Sequence, residues 1–203
     1  MKKYAVNTDR ELYRLTARGD EVAFSELVKR YESLVFTVAY GVLRDRDDAA
    51  DAAQEAFLKL WRGAAGWRGE CEVKSWIYRI AKTSALDAAR SRSARSSVSF
   101  EDTFSEAEDT APTPEEETER RDTAEIVRRA VASLPETHRE VIELREFAGL
   151  SYREIAETAG VDIGTVKSRL SRARAELYEI LKDKIGDAGT KGRTPPSKEQ
   201  TLR

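Results

Sequence analysis

Basic and hydroxyl side chains recur along one side of a segment near the carboxyl end of the sequence. Lysine and arginine neutralise phosphates, and short hydroxyls can donate to base edges in the major groove, so this combination suits duplex DNA. An apolar stripe at four- and three-residue steps shares the segment and predicts an amphipathic helix beginning near Ile163: Val166, Leu170, Ala173 and Leu177. The outer side of this predicted helix carries Lys167, Ser168, Arg169, Ser171, Arg172 and Arg174.

The residues before this helix predict a helix-turn-helix. Gly149 is expected to end one helix, and Ser151 with Glu154 forms a capping-box pattern that starts the next. Gly160 supplies the tight turn, and Ala156 permits the two helices to cross closely. A solvated charged face on a coiled-coil-like helix is the alternative, but such a helix needs neither small residue. The pattern therefore favours DNA binding without indicating a preferred sequence.

A second basic segment lies in the first half of the chain. Residues 74–95 contain six basic residues and one acidic residue, interleaved with Trp76 and Tyr78. Basic charge holds phosphates, and aromatic rings stack on unpaired bases, so a single strand is a plausible ligand. One of the two aromatic residues is expected to belong to the core instead.

Several other chemistries are excluded or disfavoured by composition. One cysteine, Cys71, cannot form an internal disulfide, and one histidine cannot complete an imidazole metal site. With no glycine-rich phosphate loop or nucleophile motif, we predict no catalytic residue, metal, cofactor or small-molecule substrate. His138 is predicted at an exposed helix position. No apolar stretch reaches the roughly 20 residues of a membrane span, and acidic residues follow the amino terminus closely, so we expect a cytoplasmic protein.

The elements that must position these residues are predicted to be helices throughout. Apolar residues recur at helical spacing, only 11 of 203 residues are glycine and 5 are proline, and strands have no clear candidate. The fold class is all-α: two small helical domains joined by a flexible acidic linker, the second domain a helix-turn-helix. Asp47 or Asp48 is expected to cap the second helix. The predicted boundaries are 10–93 for the first domain, 94–120 for the linker, 121–185 for the second domain and 186–203 for a disordered tail.

The predicted linker is strongly acidic. Nine carboxylates fall within residues 101–119, and no basic residue lies between Ser96 and Glu119. Self-repulsion should keep this segment extended. It is either a soluble spacer or a polyanion that occupies a groove built for RNA.

Three strings carry a resemblance to a known family: DRDDAADAAQEAFLKLW, KSWIYRIAKTSALDAARSR and LPETHREVIELREFAGLSYREIAETAGVDIGTVKSRLSRARAEL. Their order and spacing resemble an extracytoplasmic-function sigma factor of bacterial RNA polymerase, over about residues 10–183. The resemblance implies that the first domain binds polymerase and melts the minus-ten promoter element, while the second binds the minus-thirty-five element as duplex. Core RNA polymerase and promoter DNA are the implied partners, and an anti-sigma factor is left open as a third.

The resemblance also implies roles for individual residues. Polymerase docking falls on Asp51, Gln54, Glu55 and Leu58. Contacts to the minus-ten element fall on Trp67, Trp76, Arg79, Lys82, Thr83, Asp87 and Arg90. Contacts to the minus-thirty-five element fall on Thr165 together with Lys167, Ser168, Arg169, Ser171, Arg172 and Arg174. Family members often carry asparagine where this chain has Thr83, and nothing in the sequence explains Trp67 or Cys71.

Two other functions compete with a promoter-specificity subunit. One is an autonomous operator-binding regulator with a sensing or dimerising first domain, which would bind symmetric sites without polymerase. The other is a protein-interaction adaptor whose basic faces are merely solvated, and an enzyme ranks last.

Overall fold

The computed structural model describes residues 4, 6–69, 71–96 and 115–190, and within these ranges every regular element is helical. The predicted all-α class is therefore confirmed. The first domain contains α1 (Asp9–Thr16), α2 (Glu21–Leu43), α3 (Arg46–Gly63), a 3₁₀ turn (Ala64–Gly66) and α4 (Val73–Ser96). The second contains α5 (Glu115–Ser133), α6 (Glu136–Ile142), a π-helical turn (Glu143–Phe147), α7 (Tyr152–Ala159) and α8 (Ile163–Thr190).

Helix α2 is the centre of the first domain and packs on α1, α3 and α4. Asp20 caps it by accepting hydrogen bonds from the amides of Val22 and Ala23, at 3.0 and 2.9 Å. The helical spacing of apolar residues, from which helices were predicted throughout, places Leu27 and Leu34 on one side of α2, where both are fully buried. Each of these buried leucines contributes about 1.5 to 3 kcal/mol to the stability of the domain.

The amino-terminal helix α1 was not predicted, and polar contacts to α2 hold it in place. The Tyr31 hydroxyl donates to Asp9, whose other oxygen pairs with Arg30 at 2.9 Å. Leu12 and Tyr13 of α1 are buried in the same core as Leu27. The amphipathic pattern of α1 is only eight residues long, which is why its apolar positions carry a weak signal.

The predicted cap of α3 was wrong by two or three positions. Asp45, rather than Asp47 or Asp48, accepts a hydrogen bond from the amide of Asp48 at 2.9 Å. The reason is that α2 ends at Arg44, which adopts a left-handed conformation with φ of 59° and reverses the chain at once. Asp47 and Asp48 lie in the first turn of α3, where they complement the helix dipole.

The helix-turn-helix of the second domain forms as predicted. Ser151 and Glu154 exchange both hydrogen bonds of the capping box, at 2.6 and 3.3 Å. Gly149 and Gly160 have φ of +64° and +68°, which L side chains rarely adopt, so each ends a helix sharply. The core of this domain comprises Val131, Leu144, Leu150, Ile155, Val166 and Leu170.

His138 is not the exposed residue that the sequence predicted. Its Nδ1 lies 2.9 Å from Oε2 of Glu176, and its side chain is mostly buried between α6 and α8. The pairing joins residues 38 positions apart, so local sequence carries no signal for it.

Three of the described helices extend beyond the predicted limits of the two domains. Helix α4 continues to Ser96, α5 begins at Glu115, and α8 continues to Thr190. The acidic segment from 97 to 114 and residues 191–203 lie outside the described residues, so the extended linker and disordered tail stay predictions. None of the described helices combines the length and the apolar content that crossing a lipid bilayer requires.

Replacing Ser151 by alanine is expected to lower the free energy of unfolding by about 1 kcal/mol, because the first turn of α7 loses its side-chain cap. Urea denaturation followed by circular dichroism measures the change. Ser171→Ala, an exposed position in the interior of α8, is the matched control and should leave stability the same or slightly higher. Equal losses in both variants would contradict the role of the capping box.

Candidate nucleic-acid interface

The amino-terminal half of α8 presents a continuous polar face. Val166, Leu170 and Ala173 are buried against the rest of the domain, which fixes the rotation of the helix. The opposite side carries the exposed residues Lys167, Ser168, Ser171, Arg172 and Arg174, with Thr165 and Arg169 half-buried at its edges. The residues predicted to contact the minus-thirty-five element therefore lie on one surface of one rigid helix.

Some of these side chains are engaged in local hydrogen bonds or ion pairs, and others are not. Asp162 accepts from the Thr165 amide at 2.8 Å and from its hydroxyl at 2.6 Å, so Thr165 helps to start the helix. Arg174 pairs with Glu146 at 2.7 Å. Within the described residues, Lys167 and Arg172 have no hydrogen bond or ion pair, so their charges are available to an anionic ligand such as a DNA phosphate.

Helix α4 carries the second predicted surface. Arg79, Thr83, Asp87 and Arg90 are exposed along one side. The Thr83 hydroxyl donates to the Arg79 carbonyl at 2.8 Å, and Asp87 pairs with Lys59 at 3.1 Å. Arg90 also pairs with Asp87, at 3.5 Å, so Arg79 is the basic side chain of this face with the most freedom to reach a strand.

The two tryptophans predicted to contact DNA are partly built into the domain. Trp76 donates from Nε1 to the Tyr13 hydroxyl at 3.1 Å, and the Tyr13 ring meets Trp67 edge-on with centroids 5.3 Å apart. The guanidinium of Arg10 lies 5.7 Å from the Trp67 ring and donates to the Gly69 carbonyl at 3.3 Å. These contacts fix the loop before α4. Tyr78 is buried at 2% exposure, which confirms that one aromatic residue of this segment belongs to the core.

Lys82, also predicted to contact the minus-ten element, is covered by the second domain. Its ammonium lies 2.8 Å from Glu140 and 3.5 Å from Glu136, both on α6. Burial opposes the charged form, but the hydrogen bonds and charges of these two carboxylates outweigh it and raise the pKa of Lys82. Lys82 is therefore firmly cationic and already paired.

The residues predicted to dock on polymerase form an exposed stripe on α3. Asp51, Gln54 and Glu55 are exposed, and Leu58 is 46% exposed. The opposite side of α3 buries Ala52, Ala53, Ala56 and Leu60 in the domain. An apolar side chain bordered by polar ones is the usual composition of a protein-binding patch.

Comparison with known proteins agrees with this arrangement of two units. The model of sigma-70 region 2 matches residues 27–95, and the model of sigma-70 region 4 matches residues 124–177. RNA polymerase sigma-H factor of Pseudomonas aeruginosa is 34% identical over 89% of this chain and 97% of its own length. The chain belongs to the extracytoplasmic-function sigma factors of the sigma-70 family.

Other relatives of this sigma factor are similar to it over most of their length. ECF RNA polymerase sigma factor SigM of Mycobacterium tuberculosis is 35% identical over 86% of this chain and 85% of its own. The sigma factor RpoE, solved in complex with the anti-sigma factor NepR from Bartonella quintana, superposes with a TM-score of 0.56. It is 26% identical, over 78% of this chain and 95% of that one. The sigma factor therefore directs promoter-specific transcription initiation with RNA polymerase, which decides against the operator-binding regulator and the adaptor.

Some residues that shape these surfaces were missed by sequence reasoning. Arg10 and Tyr13 hold the loop before α4 from α1, across more than 50 residues. Gly41 and Glu143 lie where the two domains touch. A glycine inside the apolar pattern of α2 was the one available signal, because glycine is costly within a helix unless a neighbour must approach closely.

Proposed function

We propose that the sigma factor binds the minus-thirty-five element with the exposed face of α8 and holds the unpaired minus-ten strand with α4 and the preceding loop. The observation that carries the proposal is the exposed face of α8, on which Lys167 and Arg172 have no partner within the described residues. A helix of this width and charge fits the major groove, where arginine reads guanine and phosphates alike.

Strand opening would need no hydrolysis in this scheme. Extruding one base costs a few kcal/mol, and stacking returns about 1 to 3 kcal/mol for each base held. The loop before α4 is suited to that task because Tyr13 and Arg10 contact Trp67 from α1 and position its ring. The exposed arginines of α4, Arg79 and Arg90, would follow the phosphates of the same strand.

The roles that we propose for the other parts of the chain follow from these two DNA contacts, one to the minus-thirty-five element and one to the minus-ten strand. Residues 10–93 would form the domain for polymerase and the minus-ten element, and residues 121–185 the domain for the minus-thirty-five element. The stripe of Asp51, Gln54, Glu55 and Leu58 would dock on the polymerase clamp. The sigma factor would act in the cytoplasm as a subunit without catalytic chemistry of its own.

An anti-sigma factor is the further partner that we propose. The solved sigma factor RpoE is in complex with one, and its fold covers most of this chain. A protein that holds two DNA-facing surfaces needs a means of silencing them, and a partner that contacts both domains would provide it.

Reconstituted transcription tests the proposed function. Core RNA polymerase and genomic DNA from the host are incubated with and without the chain, and the transcript starts are mapped. New starts that share two upstream elements are expected only when the chain is present. Identical start sites and rates in both reactions would refute the proposal.

Replacing Arg172 by alanine is expected to weaken promoter binding by about 1 to 3 kcal/mol, roughly five- to 150-fold, because one base or phosphate contact is lost. Titration of promoter fragments with the holoenzyme measures the change. Lys182→Ala removes an exposed charge from a later turn of the same helix and should leave binding unchanged. Wild-type affinity in the Arg172 variant would contradict its assignment to the interface.

A further inference from the structure

Tyr13 of α1 contacts both of the tryptophans that we assign to the minus-ten strand. Its hydroxyl accepts a hydrogen bond from Nε1 of Trp76 at 3.1 Å, and its ring meets the ring of Trp67 edge-on, with centroids 5.3 Å apart. The same hydroxyl donates to the carbonyl of Leu60 at 3.1 Å. One side chain therefore joins the end of α3, the loop before α4 and the first turn of α4.

The hydroxyl of Tyr13 fixes the orientation of the Trp76 ring. A tyrosine hydroxyl can donate one hydrogen bond and accept another, and Tyr13 does both here. Its side chain is 1% exposed, so water does not compete for either bond. Burial raises the pKa of Tyr13 above its ordinary value of 10.0, although the hydrogen bond from Trp76 acts in the opposite direction. The phenol therefore stays protonated and able to donate.

Helix α1, which carries Tyr13, is anchored to α2 by polar and apolar contacts. Asp9, at the start of α1, pairs with Arg30 of α2 at 2.9 Å and accepts a hydrogen bond from the Tyr31 hydroxyl. Leu12, the neighbour of Tyr13, is completely buried in the core of the domain. The helix that supports both tryptophans thus contributes none of the residues predicted to contact DNA.

Trp67 and Trp76 are each only half-buried, so part of each ring can meet a strand. Stacking of an unpaired base on an aromatic ring has to offset the cost of extruding that base. A ring that became ordered only during capture would use some of this stacking energy, since immobilising a side chain costs entropy. Rings that are already positioned by Tyr13 avoid that cost. The benefit arises when a strand is captured, and the duplex contacts of α8 do not depend on it.

We propose that Tyr13 is a positioning residue for strand separation, because it holds Trp67 and Trp76 in the arrangement in which they receive unpaired bases. Its own side chain is buried, so it acts through the two tryptophans rather than by contact with DNA. This inference rests on the proposed function of α4 and the loop before it. It adds α1 to the elements that capture the minus-ten strand.

Tyr13→Phe tests the inference, because phenylalanine keeps the ring beside Trp67 and removes the hydroxyl that accepts from Trp76. Holoenzyme is assembled with each chain on a promoter found by mapping transcript starts. Permanganate oxidation of unpaired thymines then measures the rate of strand separation. The variant should open the promoter about tenfold more slowly, since capture must now order the Trp76 ring. Its affinity for the unopened duplex, measured at low temperature, should match that of the wild type.

Tyr178→Phe is the matched control, since the same atom is removed from a side chain that is 64% exposed on α8. This variant should open the promoter at the wild-type rate. Trp76→Phe, alone and combined with Tyr13→Phe, shows whether Tyr13 acts through Trp76. The double variant should open no more slowly than Trp76→Phe alone, whereas a purely structural role for Tyr13 would make the two losses multiply.

Hydrogen exchange at the indole nitrogens tests the contact in the free chain, without polymerase or promoter. The sequence has three tryptophans, so nitrogen-15 spectra contain three indole N–H signals, and the Trp76→Phe chain identifies one of them. Exchange at Trp76 should be about tenfold faster in Tyr13→Phe, because its N–H has lost its acceptor, while Trp61 keeps its rate. Equal exchange rates at Trp76 in both chains would overturn the proposal.

The outcomes separate this inference from the proposed function. A wild-type opening rate in Tyr13→Phe, or losses that multiply in the double variant, would overturn the positioning role and leave the sigma function intact. If the wild-type chain opens no promoter, the proposed function fails, and this inference fails with it.

Discussion

Aspartate in place of Leu58 is expected to weaken the binding of the sigma factor to core polymerase by at least thirtyfold. Leu58 is 46% exposed within a stripe of exposed polar residues on α3, so a partner can bury it without rearranging the domain. Docking would then leave an unpaired carboxylate in a dry interface, which costs about 2 kcal/mol or more. Each 1.4 kcal/mol corresponds to a tenfold change in the dissociation constant.

The control for this prediction is Val22→Asp. Val22 is 56% exposed in the first turn of α2, where the helix dipole stabilises a carboxylate. It lies outside the exposed stripe of α3. Fluorescence anisotropy with labelled sigma factor gives both dissociation constants, and circular dichroism checks that both variants remain helical. Similar affinities for the two variants would show that Leu58 does not contact polymerase.

A rise in pH is expected to weaken the contact between the two domains around Glu143, where α2 and α4 meet α5, α6 and the π-helical turn. With this contact made the molecule is in its closed state, and with the domains apart it is in its open state. The effect should approach tenfold in the closed-to-open equilibrium for each pH unit. Burial raises the pKa of Glu143 to about 8, against an ordinary value of 4.5 in the open state. Arg139 and Lys82 favour the charged carboxylate and Glu140 opposes it, while the Tyr78 hydroxyl donates to it. The effect of burial on the pKa of Glu143 is larger than the effect of these neighbouring groups.

The direction follows from proton linkage. Between about pH 4.5 and 8 the closed state binds one more proton than the open state, so deprotonation favours opening. Closure is therefore strongest below about pH 4.5 and is lost progressively as the pH rises through about 8. The radius of gyration measured at pH 6 and pH 8 should be larger at the higher pH.

Glu143→Gln is the control for the pH effect. Glutamine keeps the size of the side chain and an oxygen that accepts from Tyr78, but it does not titrate. The pair of His138 with Glu176 lies within the second domain and is present in both chains, so the difference between the two pH profiles isolates Glu143. Parallel profiles in the wild type and the variant would exclude this carboxyl group as the cause.

Local signals account for the elements that were predicted well from sequence. The capping box of Ser151 and Glu154, and the glycines at 149 and 160, act within a few residues of the chain, so their sequence pattern determines their geometry. The apolar stripes of α2 and α8 are also local signals, since helical spacing alone places their residues on one side of the helix.

The features that were mispredicted depend on partners far away in the chain. His138 is buried because Glu176 lies opposite it, and the loop before α4 is fixed by residues of α1. The surface assigned to the minus-ten element illustrates the same limit. Its charge was evident from sequence, but the covering of Lys82 by α6 is a contact across 58 residues.

The second domain covers Lys82 but leaves the outer side of α8 in solvent, so the two predicted DNA surfaces differ in their accessibility. A free molecule could slide along double-stranded DNA on its carboxyl-terminal half alone. Lys82 would become available to an unpaired strand only after α6 had moved away from α4.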